Sequence, residues 1–162
     1  MPTSAGRPII FLDVDGPLIP FGGSGRRYPP ADPSAGAHPL LPRLDPADGP
    51  RLLALTGELV WATTWQAEAN EVIGPRLGLP GLPVVTWPDD GPEPSRGVHW
   101  KTAGLLRWAA GRPFAWIDDE ISDADRRWVA ARQPGNTLLH RVDPRTGLAD
   151  ADFATLGRWL SR

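Results

Sequence analysis

The chain has no cysteine and only one lysine, one methionine and one tyrosine among its 162 residues. Without cysteine, disulfides, thiolate metal sites and cysteine nucleophiles are excluded together. Histidine is scarce too, and His38, His99 and His140 stand too far apart for metal-ligand spacing. No apolar run is long enough to span a membrane, and Met1–Arg7 is too short and polar for a signal peptide. A cytoplasmic protein is expected. The net charge is −2 with no basic run, so a strong nonspecific grip on nucleic acid is not expected. The scarcity of lysine draws attention to Lys101, set against 16 arginines. An ammonium is a compact point charge that a guanidinium does not replace.

What the chain does have is 20 prolines and 18 glycines, which predict long, stiff loops. Its length suits one domain over residues 1–162. The organising stretch is Ile9-Ile10-Phe11-Leu12-Asp13-Val14-Asp15-Gly16. Four apolar residues are too few for a helix and read as a strand buried on both faces of a parallel sheet. Ligand sites in such sheets lie beyond the carboxyl ends of the strands, where Asp13 and Asp15 fall. Two carboxylates this close repel each other, and a hard divalent cation such as magnesium relieves the conflict. An Asp-Gly turn with one aspartate capping a helix is the plainer alternative for this stretch alone.

A Pro/Gly-rich loop follows at about 17–48, long enough to act as a lid or binding loop. Arg26, Arg27 and Tyr28 on it are available to an anionic or aromatic substrate, although for each a solvated loop position is the simpler reading. A helix is expected over 49–56, a strand over 58–65 ending in Thr63 and Thr64, and a helix over 66–77 stopped by Gly78. Either threonine could cap that helix, and the same junction points N–H groups at a bound phosphate. Residues 82–87 read as a short strand, and Asp89 and Asp90 as turn residues. His99-Trp100-Lys101-Thr102 opens a helix that ends at Gly111. A lysine at a helix N-terminus opposes the macrodipole at about 0.3–1 kcal/mol, so something anionic should lie near it. Phe114-Ala115-Trp116-Ile117-Asp118-Asp119-Glu120 repeats the opening pattern of apolar run and paired acids. A helix capped by Ser122 then runs to about 132, a strand over 137–142 and a closing helix over 152–160. This alternation predicts an α/β protein: a doubly wound, three-layer, Rossmann-like and mostly parallel five-stranded sheet.

Asp-x-Asp-Gly after the first strand, Thr after the second, Lys before a helix and Asp-Asp after a later strand occur in one order. That order resembles the haloacid dehalogenase-like (HAD) superfamily. Trp61-Ala62-Thr63-Thr64-Trp65, Ala69-Asn70, Leu77-Gly78-Leu79-Pro80 and Trp116-Ile117-Asp118-Asp119-Glu120 resemble, more narrowly, the HAD domain of Swiss-army-knife RNA-repair proteins. The resemblance implies a magnesium-dependent phosphatase in which Asp13 is the nucleophile and Asp15 the general acid and base. It implies that Thr63 and Thr64, with Gly16, bind the phosphoryl group and that Lys101 neutralises charge. Magnesium would be held by Asp13, Asp15 through its backbone carbonyl, and Asp118, with Asp119 as ligand or support. Asp15 also argues against the dehalogenase branch, which needs no acid there. The acid pair has a second reading, Asp119 with Asp123. Pro17 departs from the usual Thr or Val of the family, though proline suits the first position of a helical turn.

Between Thr64 and Lys101 there is room for a helix and a strand but not for a large cap domain. An open site of that kind suits a phosphorylated nucleic-acid end, a nucleotide or another bulky phosphoester. Two rivals differ in class. A receiver-type phosphoacceptor module would carry its phosphorylated aspartate after the third strand, where this chain has Thr86-Trp87. A catalytically weak HAD-fold binding or regulatory module would keep the fold without the turnover.

Overall fold

The computed structural model describes residues 6–23, 29, 32, 34, 38–88, 93, 94 and 96–162. Arg26, Arg27, Tyr28, Asp89 and Asp90 lie outside the described residues. Strand β1 (Ile9–Leu12) occupies the middle of a parallel sheet with β2 (Glu58–Trp61) on one side and β3 (Phe114–Asp118) then β4 (Thr137–Arg141) on the other. All four residues of β1 are fully buried, as a strand covered on both faces requires.

Alternation along β1 divides the core. Ile10 and Leu12 face the layer built by helices α1 (Asp48–Leu53), α2 (Gly74–Leu77) and α5 (Asp150–Leu160), which supply Leu52, Leu77, Phe153 and Leu156. Ile9 and Phe11 face α3 (Thr102–Ala109) and α4 (Asp123–Arg132), which supply Leu105, Ala109 and Val129. The result is the expected three-layer arrangement. No helix of the described residues is long and apolar enough to cross a membrane.

The sheet has four strands rather than the five expected. Residues 82–87 make a single bridge, Val84 opposite Trp61, through Trp61 N–H to the Pro83 carbonyl and Val85 N–H to the Trp61 carbonyl, both 2.9 Å. The next donor of that ladder would be residue 83, and proline has none to give. On the other side, the Thr63 carbonyl accepts the Trp87 indole N–H at 3.1 Å. Asn70 holds the segment in place, accepting from the Leu82 N–H and the Trp61 indole and donating to the Leu82 carbonyl.

The helix expected over 66–77 is also altered. Gln66 has a φ of 51°, and regular structure starts only at Ala69 as a π-helical turn through Ile73 that runs into α2. Pro75 cannot donate to a preceding carbonyl, and the chain approaches it in the wider register, with Gly74 N–H bonded to the Ala69 carbonyl. Gly78, at a φ of 71°, ends α2 as expected. Within the 17–48 loop, Leu41–Arg43 forms a short 3-10 turn.

Asp48, at the start of α1, is a buried acid away from the strand ends. Burial pushes its carboxyl up to about 7, with Asp45 adding to the effect and Arg51 opposing it. The folded protein therefore holds a proton that the unfolded chain releases near its ordinary value of 3.8. Stability contributed by this group is present below that value and is lost as pH rises to about 7. Urea unfolding at several pH values should show Asp48→Asn gaining on wild type across this window, by on the order of 1–3 kcal/mol. Parallel pH profiles for the two proteins would contradict the assignment.

Candidate active site

Strand register builds the site. Leu12 pairs with Trp61 on one side and Ile117 on the other, so Asp13, Ala62 and Asp118 emerge in one row at the carboxyl end of the sheet. The row is kept in line past the strands by Ala62 N–H to the Leu12 carbonyl (2.9 Å) and Asp13 N–H to the Ile117 carbonyl (3.1 Å). Lys101, the residue before α3, reaches across this row. Its Nζ lies 3.1 Å from Asp13 Oδ1 and 2.9 Å from Asp118 Oδ2, and donates to the Ala62 carbonyl at 3.0 Å. All three charged residues are buried: Asp13 is 6% exposed, Lys101 4% and Asp118 1%. Burial alone would lower the lysine's affinity for its proton, but the two carboxylates outweigh it and hold the ammonium charged.

Asp119 completes the cluster. One carboxylate oxygen each from Asp13, Asp118 and Asp119 lie within 4.8 Å of one another. Gly16 permits this approach. Its φ is 104°, and a Cβ there would lie 2.6 Å from Asp119 Cγ. Burial, then the neighbouring Asp118 charge, raises the Asp119 carboxyl to about 6. Burial likewise raises Asp13 to about 8, against the pull of Lys101 and with a further push from Asp118. One ammonium thus leaves this carboxylate set short of positive charge. Three converging hard-oxygen donors with that deficit fit a divalent cation of the magnesium type.

The other expected residues take different places. Asp15 is exposed, and its Oδ2 accepts the Trp65 indole N–H at 3.1 Å, so its carboxylate lies outside the converging set. Trp65 in turn packs against His38 of the 17–48 loop, ring centroids 4.7 Å apart. The Gly16 N–H is taken by the Ile19 carbonyl at 3.0 Å and is not turned toward a ligand. Thr63 is fully buried and its hydroxyl accepts the Trp65 N–H, while Thr64 is exposed at the pocket. Thr63 caps a turn rather than a helix, because regular structure begins only at Ala69. Asp123, the second candidate partner of Asp119, is exposed and paired with Arg126 at 3.1 Å, outside the cluster. Pro17 is accommodated in a tight turn, its carbonyl accepting the Leu148 N–H at 2.8 Å.

These carboxylates open onto a shallow cavity of about 200 Å3 that Phe21, Thr64, His99, Trp100 and Glu120 also line. The model of one family, the HAD domain in Swiss Army Knife RNA repair proteins, matches residues 9–153, nearly the whole chain. The chain belongs to this family. No curated protein and no solved structure matches it. The parallel α/β sheet, with its acids at the strand ends, is the fold of a HAD domain.

Two side chains that support this HAD domain's site were missed in the sequence. Asp125, fully buried, accepts from the Ser122 N–H and hydroxyl, the His99 N–H and the Thr102 hydroxyl at 2.7–2.8 Å. Burial opposes its ionisation, but these donors prevail and hold it below the usual carboxylate range. It thereby ties the segment carrying Lys101 to the start of α4. His99 is the other. Its Nδ1 accepts the Lys101 N–H at 3.1 Å, which leaves Nε2 to donate to Glu120 at 2.8 Å. Position beside Lys101 was the only sequence signal for His99. For Asp125 the available signal is its place three residues after the capping Ser122, with which it forms a reciprocal cap.

Proposed function

We propose that the protein is a magnesium-dependent phosphohydrolase that works through an aspartyl-phosphate on Asp13, with a nucleotide or a nucleic-acid end as the substrate suggested by its family. The observation that carries this reading is the buried Asp13–Lys101–Asp118 contact at the end of three adjacent strands, with Asp119 converging on it. Phosphoryl transfer is chiefly positioning and charge neutralisation, and those are what this cluster offers.

Asp13 attacks phosphorus with a carboxylate oxygen, and the bond to the leaving oxygen breaks as the bond to Asp13 forms. Asp15, exposed and steadied by the Trp65 indole, protonates that leaving oxygen. In the second step Asp15 takes a proton from water, which attacks phosphorus and frees Asp13. Lys101 balances the charge on Asp13 and on the phosphoryl oxygens, and Thr64, which lines the pocket, would offer its hydroxyl to one of them. Asp13, Asp118 and Asp119, with the backbone carbonyl of Asp15, would hold magnesium, which would supply further positive charge beside the phosphoryl oxygens. Thr63, buried behind the pocket, positions this turn.

Phosphate release from an aryl phosphate tests the reading. Removing divalent ions with a chelator should abolish release, and magnesium should restore it. Release that continues unchanged in chelator would contradict the metal's part. No release with magnesium, from aryl phosphate, nucleotides and short phosphorylated strands alike, would reject the hydrolase reading in favour of a binding module.

A further inference from the structure

Three large apolar side chains stand open to solvent among the described residues, and two of them, Phe21 and Trp100, line the acid pocket. Phe21 is 39% exposed and Trp100 45%. One such residue on a surface needs no explanation, but two at the mouth of a pocket of charged groups do. They come from separate parts of the chain. Phe21 lies on the loop after β1, where its N–H donates to the Pro144 carbonyl at 2.7 Å. Trp100 precedes α3.

Trp100 is open but held. Its ring meets Trp87 edge-on with centroids 5.0 Å apart, lies 5.4 Å from His99, and has Lys101 Nζ 5.8 Å from its centre. His99 is itself fixed at both ring nitrogens. An aromatic ring already ordered by its neighbours loses little freedom when a second ring stacks on it.

Charge narrows the ligand further. Five of the ten lining residues are carboxylates, and Lys101 is the sole lysine or arginine among them. One phosphoryl group can be matched by Lys101 and a bound cation. A second would face Asp15 and Glu120, both exposed, with no arginine lining the described pocket to meet it. The pocket therefore favours one phosphate joined to a planar ring.

We propose that Trp100 and Phe21 are specificity-determining residues that stack the nucleobase of a phosphomonoester whose phosphoryl group lies at Asp13 and Lys101. The proposal rests on the phosphohydrolase reading for where the phosphate sits. A free nucleotide and the terminal nucleotide of a strand offer the same chemistry.

Titration calorimetry on the Asp13→Asn protein with magnesium tests this without consuming the ligand. Adenosine 5′-monophosphate should bind tighter than glycerol 3-phosphate by on the order of tenfold or more. Adding Trp100→Ala should bring that ratio close to unity, and Trp100→Phe in its place should restore most of it. A purely structural role for Trp100 would weaken both ligands together and leave the ratio standing. Equal affinities in the parent protein, or a ratio that survives Trp100→Ala combined with Phe21→Ala, would overturn the proposal, as would failure of both ligands to bind. Tight, Trp100-dependent binding without phosphate release by the wild type would uphold the stacking and reject the hydrolase. A short strand with a terminal phosphate that binds tighter than the mononucleotide identifies a chain end as the ligand. Equal binding of the two shows that the terminal nucleotide alone is read.

Discussion

Replacing Asp13 by asparagine should lower phosphate release by roughly 10³-fold or more and leave the fold intact. The amide keeps the shape of the carboxylate but cannot form the acyl phosphate. Folding should tolerate the change because Lys101 retains Asp118 at 2.9 Å and the Ala62 carbonyl at 3.0 Å. Burial disfavours the Asp13 anion, raising its carboxyl to about 8 against the pull of Lys101, so a neutral amide at this position relieves part of that cost. The variant should thus unfold at the same or a higher urea concentration than wild type without magnesium. It should also gain less from added magnesium, having lost one oxygen anion of the converging set. Equal rates of phosphate release by the two proteins would remove Asp13 from the chemistry.

Lys101→Met should be costly in both respects. Methionine matches the length of the lysine stem but leaves Asp13 and Asp118 facing each other in a buried site without their shared cation. Breaking a buried ion pair from one side costs about 3–5 kcal/mol, because the remaining charge stays desolvated. Turnover should fall by roughly 10²–10³-fold, the scale on which one preordered electrostatic contact to a transition state acts. Magnesium should recover part of the lost stability, since a divalent ion can take over the charge balance between the carboxylates. Little of the lost turnover should return, since the ion already acts in the wild type and cannot supply the lysine's charge as well. Unfolding curves of wild type and variant with and without magnesium separate these effects. A variant as stable as wild type in chelator would show that Lys101 does not balance the two acids.

Much of the fold could be read from residue pattern because buried parallel strands write themselves as short apolar runs. Ile9–Leu12 is wholly apolar and is followed directly by Asp13, and Phe114–Asp118 is apolar up to its last residue, Asp118, the second acid of the site. The same rule misleads at 82–87, where the apolar residues are present but Pro83 withholds the donor that a second rung needs. It misleads again at 66–77, where helical spacing hides both the left-handed Gln66 and the effect of Pro75 on the turn before it. Asp13, Lys101 and Asp118 were legible because each sits at the end of a recognisable element. Asp125 was not. Beyond Ser122, its partners His99 and Thr102 are more than twenty residues away, and only the docking of α3 beside α4 joins them. Trp100 was hidden for a related reason: which of the eight tryptophans stands open is a property of the folded surface, and Trp100 is 45% exposed there.

The most direct test of the account is to quench the protein during turnover of an aryl phosphate with magnesium and map the phosphorylated peptide. An acyl phosphate is expected on the peptide that carries Asp13, formed at the rate of the first turnover and absent from Asp13→Asn. Phosphate on another residue, or steady turnover with no phosphorylated peptide at any time after mixing, would contradict it.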